Sequence, residues 1–170
     1  MTTAKILLVY ILQTFSLSGT ISDVSRIDEN EAYCLAKNIY FEARGEGIQG
    51  QKAVALVTMN RVNSERYPDT ICGVVEQSAK LKYSDKVVCA FSWVCSDYNK
   101  VPVIKKNGTE NERVIREFET AAKIAVQAMQ GELRDITKGA THFFNPEKAQ
   151  PKWAEDLQPT MTLGKHVFYK

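Results

Sequence analysis

The chain has 170 residues, of which 44% are hydrophobic and 25% charged, with a formal net charge of +2. That length suits one compact domain able to bury roughly 70% of its unfolded surface, and the composition excludes a disordered chain. So small a net charge, with no clustered basic patch, excludes nucleic acid as the expected partner; it is compatible with an acidic polymer without pointing to one.

Residues 1–20 have the layout of an export signal. Lys5 precedes the apolar run Ile6-Leu7-Leu8-Val9-Tyr10-Ile11-Leu12, and the small-residue stretch Ser16-Leu17-Ser18-Gly19-Thr20 follows. The run is short for a stable transmembrane helix. Three readings remain: a cleaved signal, a weak tether giving transient membrane association, or a helix that packs on the domain. Export is favoured. Residues 21–30 are polar and acidic and read as a linker into a domain over 31–170.

The first helix of that domain starts near Asp28, with Glu31 in the capping-box position. Leu35 and Ile39, flanked by alanines, form its apolar stripe, and Gly45 stops it. A second helix, from about Gln49 to Val62, is apolar on all sides at Ala53-Val54-Ala55-Leu56-Val57, the mark of a core helix. Pro68 suits the start of a short helical turn. Residues 78–86 are polar without a period and read as a loop. Thr109 and Glu112 form a capping box for the longest helix, which carries Val114, Phe118, Ala122 and Ala125 on one face and ends at Gly131. Thr160 to Leu163 alternates, and Gly164-Lys165 turns the chain into His166-Val167-Phe168-Tyr169. The fold class expected is α+β, mainly helical, with a small irregular strand region near the C-terminus.

Among the acidic residues Glu42 stands out. It lies in the last turn of the first helix, between aromatic neighbours, where the helix dipole and partial burial favour a protonated carboxyl. A general acid working near neutral pH needs that shift. Pairing with Arg44 or Lys37 would oppose it and make Glu42 an ordinary helix-end residue. Glu46, four positions on, is either a second cleft carboxylate or a cap for the next helix. Phe91-Ser92-Trp93 suits a sugar-binding wall or a core aromatic cluster. His142 and Asn145 either donate to substrate or hold a turn. The two histidines, His142 and His166, lack zinc-protease spacing, so neither a metal nor another cofactor is expected. The four cysteines, Cys34, Cys72, Cys89 and Cys95, are either reduced thiols or disulfides of an exported protein.

Taken in order, these segments resemble the SleB/CwlJ-type cell wall hydrolases, known from spore-cortex-lytic enzymes and phage lysins. The resemblance is carried by residues 36–46 around Tyr40-Phe41-Glu42-Ala43-Arg44-Gly45-Glu46, then Gly50-Gln51-Lys52-Ala53-Val54-Ala55 and Asn60-Arg61-Val62. Next come Tyr67-Pro68-Asp69-Thr70-Ile71-Cys72-Gly73-Val74-Val75 with Gln77, and Phe91-Ser92-Trp93-Val94-Cys95. His142-Phe143-Phe144-Asn145-Pro146, Trp153 and Gly164-Lys165-His166-Val167-Phe168-Tyr169 complete it. Each piece is weak alone; the ordered set is specific.

The resemblance implies a lysozyme-like single domain acting on peptidoglycan glycan strands. It implies a lytic transglycosylase cutting the MurNAc-GlcNAc bond with Glu42 alone as acid and then base, serving as a monomeric, exported (periplasmic or secreted) lysis enzyme of the endolysin kind. The alternatives are an N-acetylmuramoyl-L-alanine amidase and a lysozyme-type hydrolase. By the same resemblance Glu46, Gln77, Phe91, Ser92, Trp93, His142 and Asn145 line the glycan groove, and Cys72 pairs with Cys95. Residues 78–89 depart from the family pattern as a polar insert beside the groove.

Overall fold

In the computed structural model, the described residues are 3–17, 27–105 and 107–170. Among these residues five α-helices and five short strands follow in the order α1 (Thr3–Leu17), α2 (Glu29–Ala43), α3 (Ile48–Val62), α4 (Ile71–Val75), β1 (Ser78–Lys80), β2 (Val87–Cys89), α5 (Glu112–Met129), β3 (His142–Phe144), β4 (Pro159–Leu163) and β5 (His166–Tyr169). Two 3-10 helices, Ser92–Cys95 and Lys152–Glu155, lie between them.

Helix α2 is the hub and packs on α3, α4 and α5. Its N-terminus is set by the Asp28 carboxylate, which accepts from the Asn30 and Glu31 backbone N–H groups at 2.8 and 3.1 Å. Glu31 does not complete a capping box. Its carboxylate reaches across to accept from the Ile71 and Cys72 N–H groups, and so satisfies the free amides that open α4. Leu35, Ala36 and Ile39 bury against α5, where Phe118, Ala122 and Ala125 face them from the stripe expected of the longest helix. That helix ends as expected, with Gly131 at a positive φ of 72°.

The start of α5 differs from expectation. It opens at Glu112 with no side-chain cap. The Thr109 N–H and hydroxyl both go to Asn107 Oδ1, at 3.1 and 2.8 Å. Backbone pairing of Ile104 with Glu110 holds this stretch as a turn, which takes Thr109 away from the helix end. Glu112 pairs with Arg116 at 3.6 Å instead.

Helix α3 explains its own composition. Ala55 belongs to the large helical core, whereas Ala53 and Val57 pack with Ala140 and Phe168 in a second, smaller core under the sheet. A helix covered from two sides has no polar face to present. The sheet has the order β3-β5-β4, all antiparallel, with Phe143 opposite Phe168 and Leu163 opposite His166.

Residues expected as a loop over 78–86 form part of a two-stranded antiparallel hairpin, β1–β2, with Ala79 opposite Val88. No residue of either strand is fully buried, so no in-and-out alternation marks the hairpin in the sequence.

The expected Cys72–Cys95 disulfide is not formed. Cys34 bonds Cys72 and Cys89 bonds Cys95, with Cα–Cα separations of 5.2 and 5.9 Å. The cause is the packing of α4 on α2, which puts Cys72 beside Cys34, while Cys95 closes a short loop back to the end of β2.

Helix α1 covers part of the same helical core through Ala4, Leu8, Ile11 and Leu12 and packs on α5 and α2. Its Ile6 and Tyr10 face solvent. Of the linker expected over 21–30, residues 21–26 lie outside the described residues, and Asp28 onward belongs to the start of α2. Among the described residues no helix is long and apolar enough to cross a membrane.

Candidate active site

An open cleft of about 960 Å³ runs between the end of α2 and the β3–β5 sheet. All eight residues expected at the site, Glu42, Glu46, Gln77, Phe91, Ser92, Trp93, His142 and Asn145, line it. They arrive from separate elements: Glu42 from the last turn of α2, Gln77 from the end of the turn after α4, residues 91–93 from the start of the first 3-10 helix, and His142 from β3.

The Glu42 carboxylate is partly buried, and among the described residues it receives no hydrogen bond and no ion pair. Burial pushes its pKa up to about 7, and the positive charges of Arg61 and Lys148 oppose this without cancelling it. The two cations expected to compete for it are elsewhere. The Arg44 guanidinium lies over the Tyr40 ring at 4.9 Å, and the Lys37 ammonium lies over Trp93 at 4.9 Å. Glu42 therefore sits as a carboxyl that holds its proton to near neutrality and faces open space.

Glu46 is engaged differently. Its carboxylate accepts from the Lys165 N–H at 3.3 Å, in the turn between β4 and β5. A Cβ at Gly164 would fall 1.9 Å from Glu46 Oε2, and Gly164 itself has a φ of +56°. Glycine there meets both demands at once. Glu46 thus ties the turn between α2 and α3 to the sheet.

Trp93 is fixed by a buried polar chain. Its indole N–H donates to Asn38 Oδ1 at 3.0 Å, and Asn38 Nδ2 donates to Thr58 Oγ1 at 3.1 Å. Thr58 in turn donates to the Val54 carbonyl at 3.3 Å. Phe41 stacks on the indole at 4.7 Å with an interplanar angle of 17°. Phe91 is buried, whereas Ser92 and Gln77 are exposed on the cleft rim. The Cys89–Cys95 disulfide brackets Phe91-Ser92-Trp93.

His142 makes a 3.0 Å contact between Nδ1 and Thr141 Oγ1, and its ring packs on Trp153 at 4.8 Å. Burial, helped by Arg61 and Arg66, pushes its pKa down to about 4, so it is neutral at pH 7. Asn145 holds a turn: its Oδ1 accepts from the Glu147 N–H at 2.9 Å.

Among the cleft residues that were not expected at the site are Arg61, Tyr67, Lys148 and Trp153. Arg61 is the most informative. It is buried, its Nε donates to the Thr141 carbonyl at 2.6 Å, and its guanidinium lies over Tyr67 and Phe91 at 5.4 and 5.1 Å. Its neighbour Asn60 donates to Thr137 Oγ1 and the Ala140 carbonyl at 3.2 and 3.0 Å. The pair locks the end of α3 to the segment that leads into β3. A signal was present in the sequence: a lone arginine ending an apolar helix needs a buried partner. Among the described residues no group of three His, Cys, Asp or Glu is placed to hold a metal ion.

The Cell Wall Hydrolase family profile matches residues 45–169, a span that opens just after Glu42. The spore cortex-lytic enzyme of Halalkalibacterium halodurans is 31% identical over 140 residues, covering 82% of this chain and 34% of that protein. The spore cortex-lytic enzyme of Bacillus subtilis is 29% identical over 139 residues, 82% of this chain and 37% of that protein. The chain thus spans well under half the length of these relatives. Among solved structures, the catalytic domain of the germination-specific lytic transglycosylase SleB from Bacillus anthracis is 32% identical, with a TM-score of 0.62 over 85% of this chain and 98% of that one. The catalytic domain of the Bacillus cereus SleB protein gives 32% identity and a TM-score of 0.60, over 85% and 92%. Family profile, ordered motifs and shared architecture agree: this chain belongs to the cell wall hydrolase family and carries the lysozyme-like fold of the SleB catalytic domain.

Proposed function

We propose that this chain is a lytic transglycosylase that cuts peptidoglycan between N-acetylmuramic acid and N-acetylglucosamine, with Glu42 as its one catalytic carboxyl. The observation that carries this reading is the unpaired Glu42, partly buried in the cleft and protonated up to about pH 7. The carboxyl donates its proton to the glycosidic oxygen as the bond from muramic C1 breaks, and N-acetylglucosamine leaves as the alcohol. The carboxylate then takes the proton of the muramic C6 hydroxyl while O6 bonds to C1. The product is a 1,6-anhydro end, no water is consumed, and Glu42 finishes protonated. A group with a pKa near the working pH suits both half-reactions.

A second carboxylate, which ordinary glycosidases use for the nucleophile or the water, is not needed in this scheme. Glu46, held by the Lys165 N–H, serves as a structural tie at the cleft edge. Gln77, Ser92, Trp93, His142 and Asn145 supply polar and aromatic contacts to the glycan, and Phe91 backs the wall. The wall substrate and the two disulfides support an extracytoplasmic enzyme. Export through the segment 1–20, a monomeric state and a role in cell lysis of the endolysin kind belong to the same proposal, and mass analysis of the exported protein reports whether that segment is retained.

The decisive measurement is mass spectrometry of fragments released from purified peptidoglycan. Anhydro-muramic ends are expected. New reducing ends would mean lysozyme-type hydrolysis, and free stem peptides would mean an amidase. Glu42→Gln is expected to abolish cleavage; full activity in that variant overturns the assignment.

A further inference from the structure

The β1–β2 hairpin leaves the cleft wall and does not return to it: Gln77, Cys89 and Ala90 line the cleft, whereas none of residues 78–88 does. Its composition is unlike the rest of the surface. Nine large hydrophobic side chains are exposed among the described residues, and four of them, Leu81, Tyr83, Val87 and Val88, belong to this one arm. The arm also carries Lys80, Lys82 and Lys86 against Asp85 alone, a formal +2 that equals the charge of the whole chain. Exposed apolar side chains gathered with cations mark a surface made to meet something.

The arm is preformed. The Leu81 N–H donates to the Lys86 carbonyl at 3.0 Å, and the Ser84 Oγ accepts from the Lys86 N–H at 3.1 Å, which closes the turn. Its packing is mainly on the Ser92–Cys95 turn at its base. Lys80 lies opposite Val87 and Ala79 opposite Val88, so the two valines point to opposite faces, and each is about half exposed. Both faces are thus open and apolar, which suits a layer that surrounds the arm better than a flat partner laid on one side. Lys80 pairs with Asp85; among the described residues Lys82 and Lys86 make no ion pair, and Lys82 lies over the Tyr83 ring at 5.4 Å.

We propose that the β1–β2 hairpin is a membrane-docking arm that sets Leu81 and Tyr83 into the interface of an anionic lipid bilayer, with Lys82 and Lys86 on its phosphate groups. A polymer of sugars or phosphates would answer the lysines but offers nothing to Leu81, Val87 and Val88. A bilayer interface takes all three kinds of group in one layer: aliphatic side chains below, the tyrosine ring at headgroup level, and ammonium groups reaching the phosphates. Docking does not depend on the reaction assigned to Glu42. Its consequence does: with the arm on the bilayer, the cleft at the arm's base works on the glycan strands nearest the membrane.

The test is co-sedimentation of the full chain with vesicles of phosphatidylcholine, alone or mixed with phosphatidylglycerol. Binding to the mixed vesicles is expected to be about tenfold tighter or more, the effect of two lysines at an anionic surface, and to weaken at about 0.5 M salt. Lys82→Gln with Lys86→Gln is expected to remove that preference. Leu81→Ser with Tyr83→Ser is expected to weaken binding to both kinds of vesicle about tenfold. Both double variants are expected to cleave soluble peptidoglycan fragments as the unmodified chain does. Absence of vesicle binding overturns the proposal. So does binding that neither double variant weakens, which would place the membrane contact elsewhere, as on α1. Loss of retention on lipid-free peptidoglycan in the variants, with vesicle binding unchanged, also overturns it and assigns the arm to the wall.

Discussion

Ionisation of Glu42 opposes folding. Below about pH 4.5 the carboxyl is protonated in both folded and unfolded chains. Between there and about pH 7 the unfolded chain releases a proton that the folded one keeps. Stability therefore falls as pH rises through that window and is level above it. Glu42→Gln removes the effect. The variant is expected to be more stable than the native chain by about 1–3 kcal/mol at about pH 8, with no gain near pH 4, as read by urea unfolding at each pH. The same ionisation sets activity. Cleavage is expected to decline above about pH 7, where the acid loses its proton, and neutral His142 adds no second step there. Asn38 offers a different test. It is fully buried and joins Thr58 to Trp93, so Asn38→Ala strands the indole N–H. The expected cost is about 1–3 kcal/mol, with a raised KM as Trp93 loosens. Glu42 was legible in the sequence because a helix end and a motif both mark it. The burial that raises its pKa and the cations that oppose it were not: Arg61 and Lys148 are distant in the chain, and only folding brings them near.

Among the elements, α2 and α4 are joined twice, by the Glu31 carboxylate at the start of α4 and by the Cys34–Cys72 disulfide. The two disulfides differ in the chain they close, with sequence separations of 38 and 6. The loop-closure model gives about 4 kcal/mol for the first and about 2 kcal/mol for the second. Replacing Cys34 and Cys72 with alanine is expected to lower the unfolding midpoint more than replacing Cys89 and Cys95. The second pair is expected instead to raise KM, because it brackets Phe91-Ser92-Trp93. Urea unfolding and kinetics on the two double variants check both halves. Helix extents were legible because α2 and α5 repeat apolar residues at helical spacing and α3 carries a continuous apolar run. The disulfide pairing was not, since it depends on α4 lying on α2. Neither was the β1–β2 hairpin, whose strands bury no residue fully and so print no alternation. Capping pairs misled where a side chain found a better partner: Glu31 in α4, and Thr109 in the Asn107 turn.

At the scale of the whole molecule, the helical core and the smaller sheet core meet at α3, and the cleft opens where the end of α2 faces the sheet. Helix α1 completes the helical core, with Leu8, Ile11 and Leu12 between 0 and 4% exposed. Removing residues 1–17 is expected to cost about 4 kcal/mol or more and to raise binding of a hydrophobic dye, since the burial of three aliphatic side chains is lost and the surfaces they cover on α2 and α5 become solvated. Thermal unfolding of the shortened chain measures it; an unchanged midpoint would mean that α1 contributes nothing to the folded domain. The architecture was legible as helix-rich with late strands. The docking of α1 was one of three readings, because an apolar run of that length serves equally well as a leader or as a core helix.

The β1–β2 hairpin has a consequence for engineering. The two ends of the hairpin are drawn together by the Ala90 N–H bond to the Gln77 carbonyl at 2.8 Å, and the Cys89–Cys95 bond secures its base from outside. Its tip points away from the core, with Tyr83 90% exposed. Such an arm is a natural splice point: a fluorophore, an affinity tag or a whole wall-targeting module can replace the tip while both anchors, and the catalytic cleft beside them, stay in register.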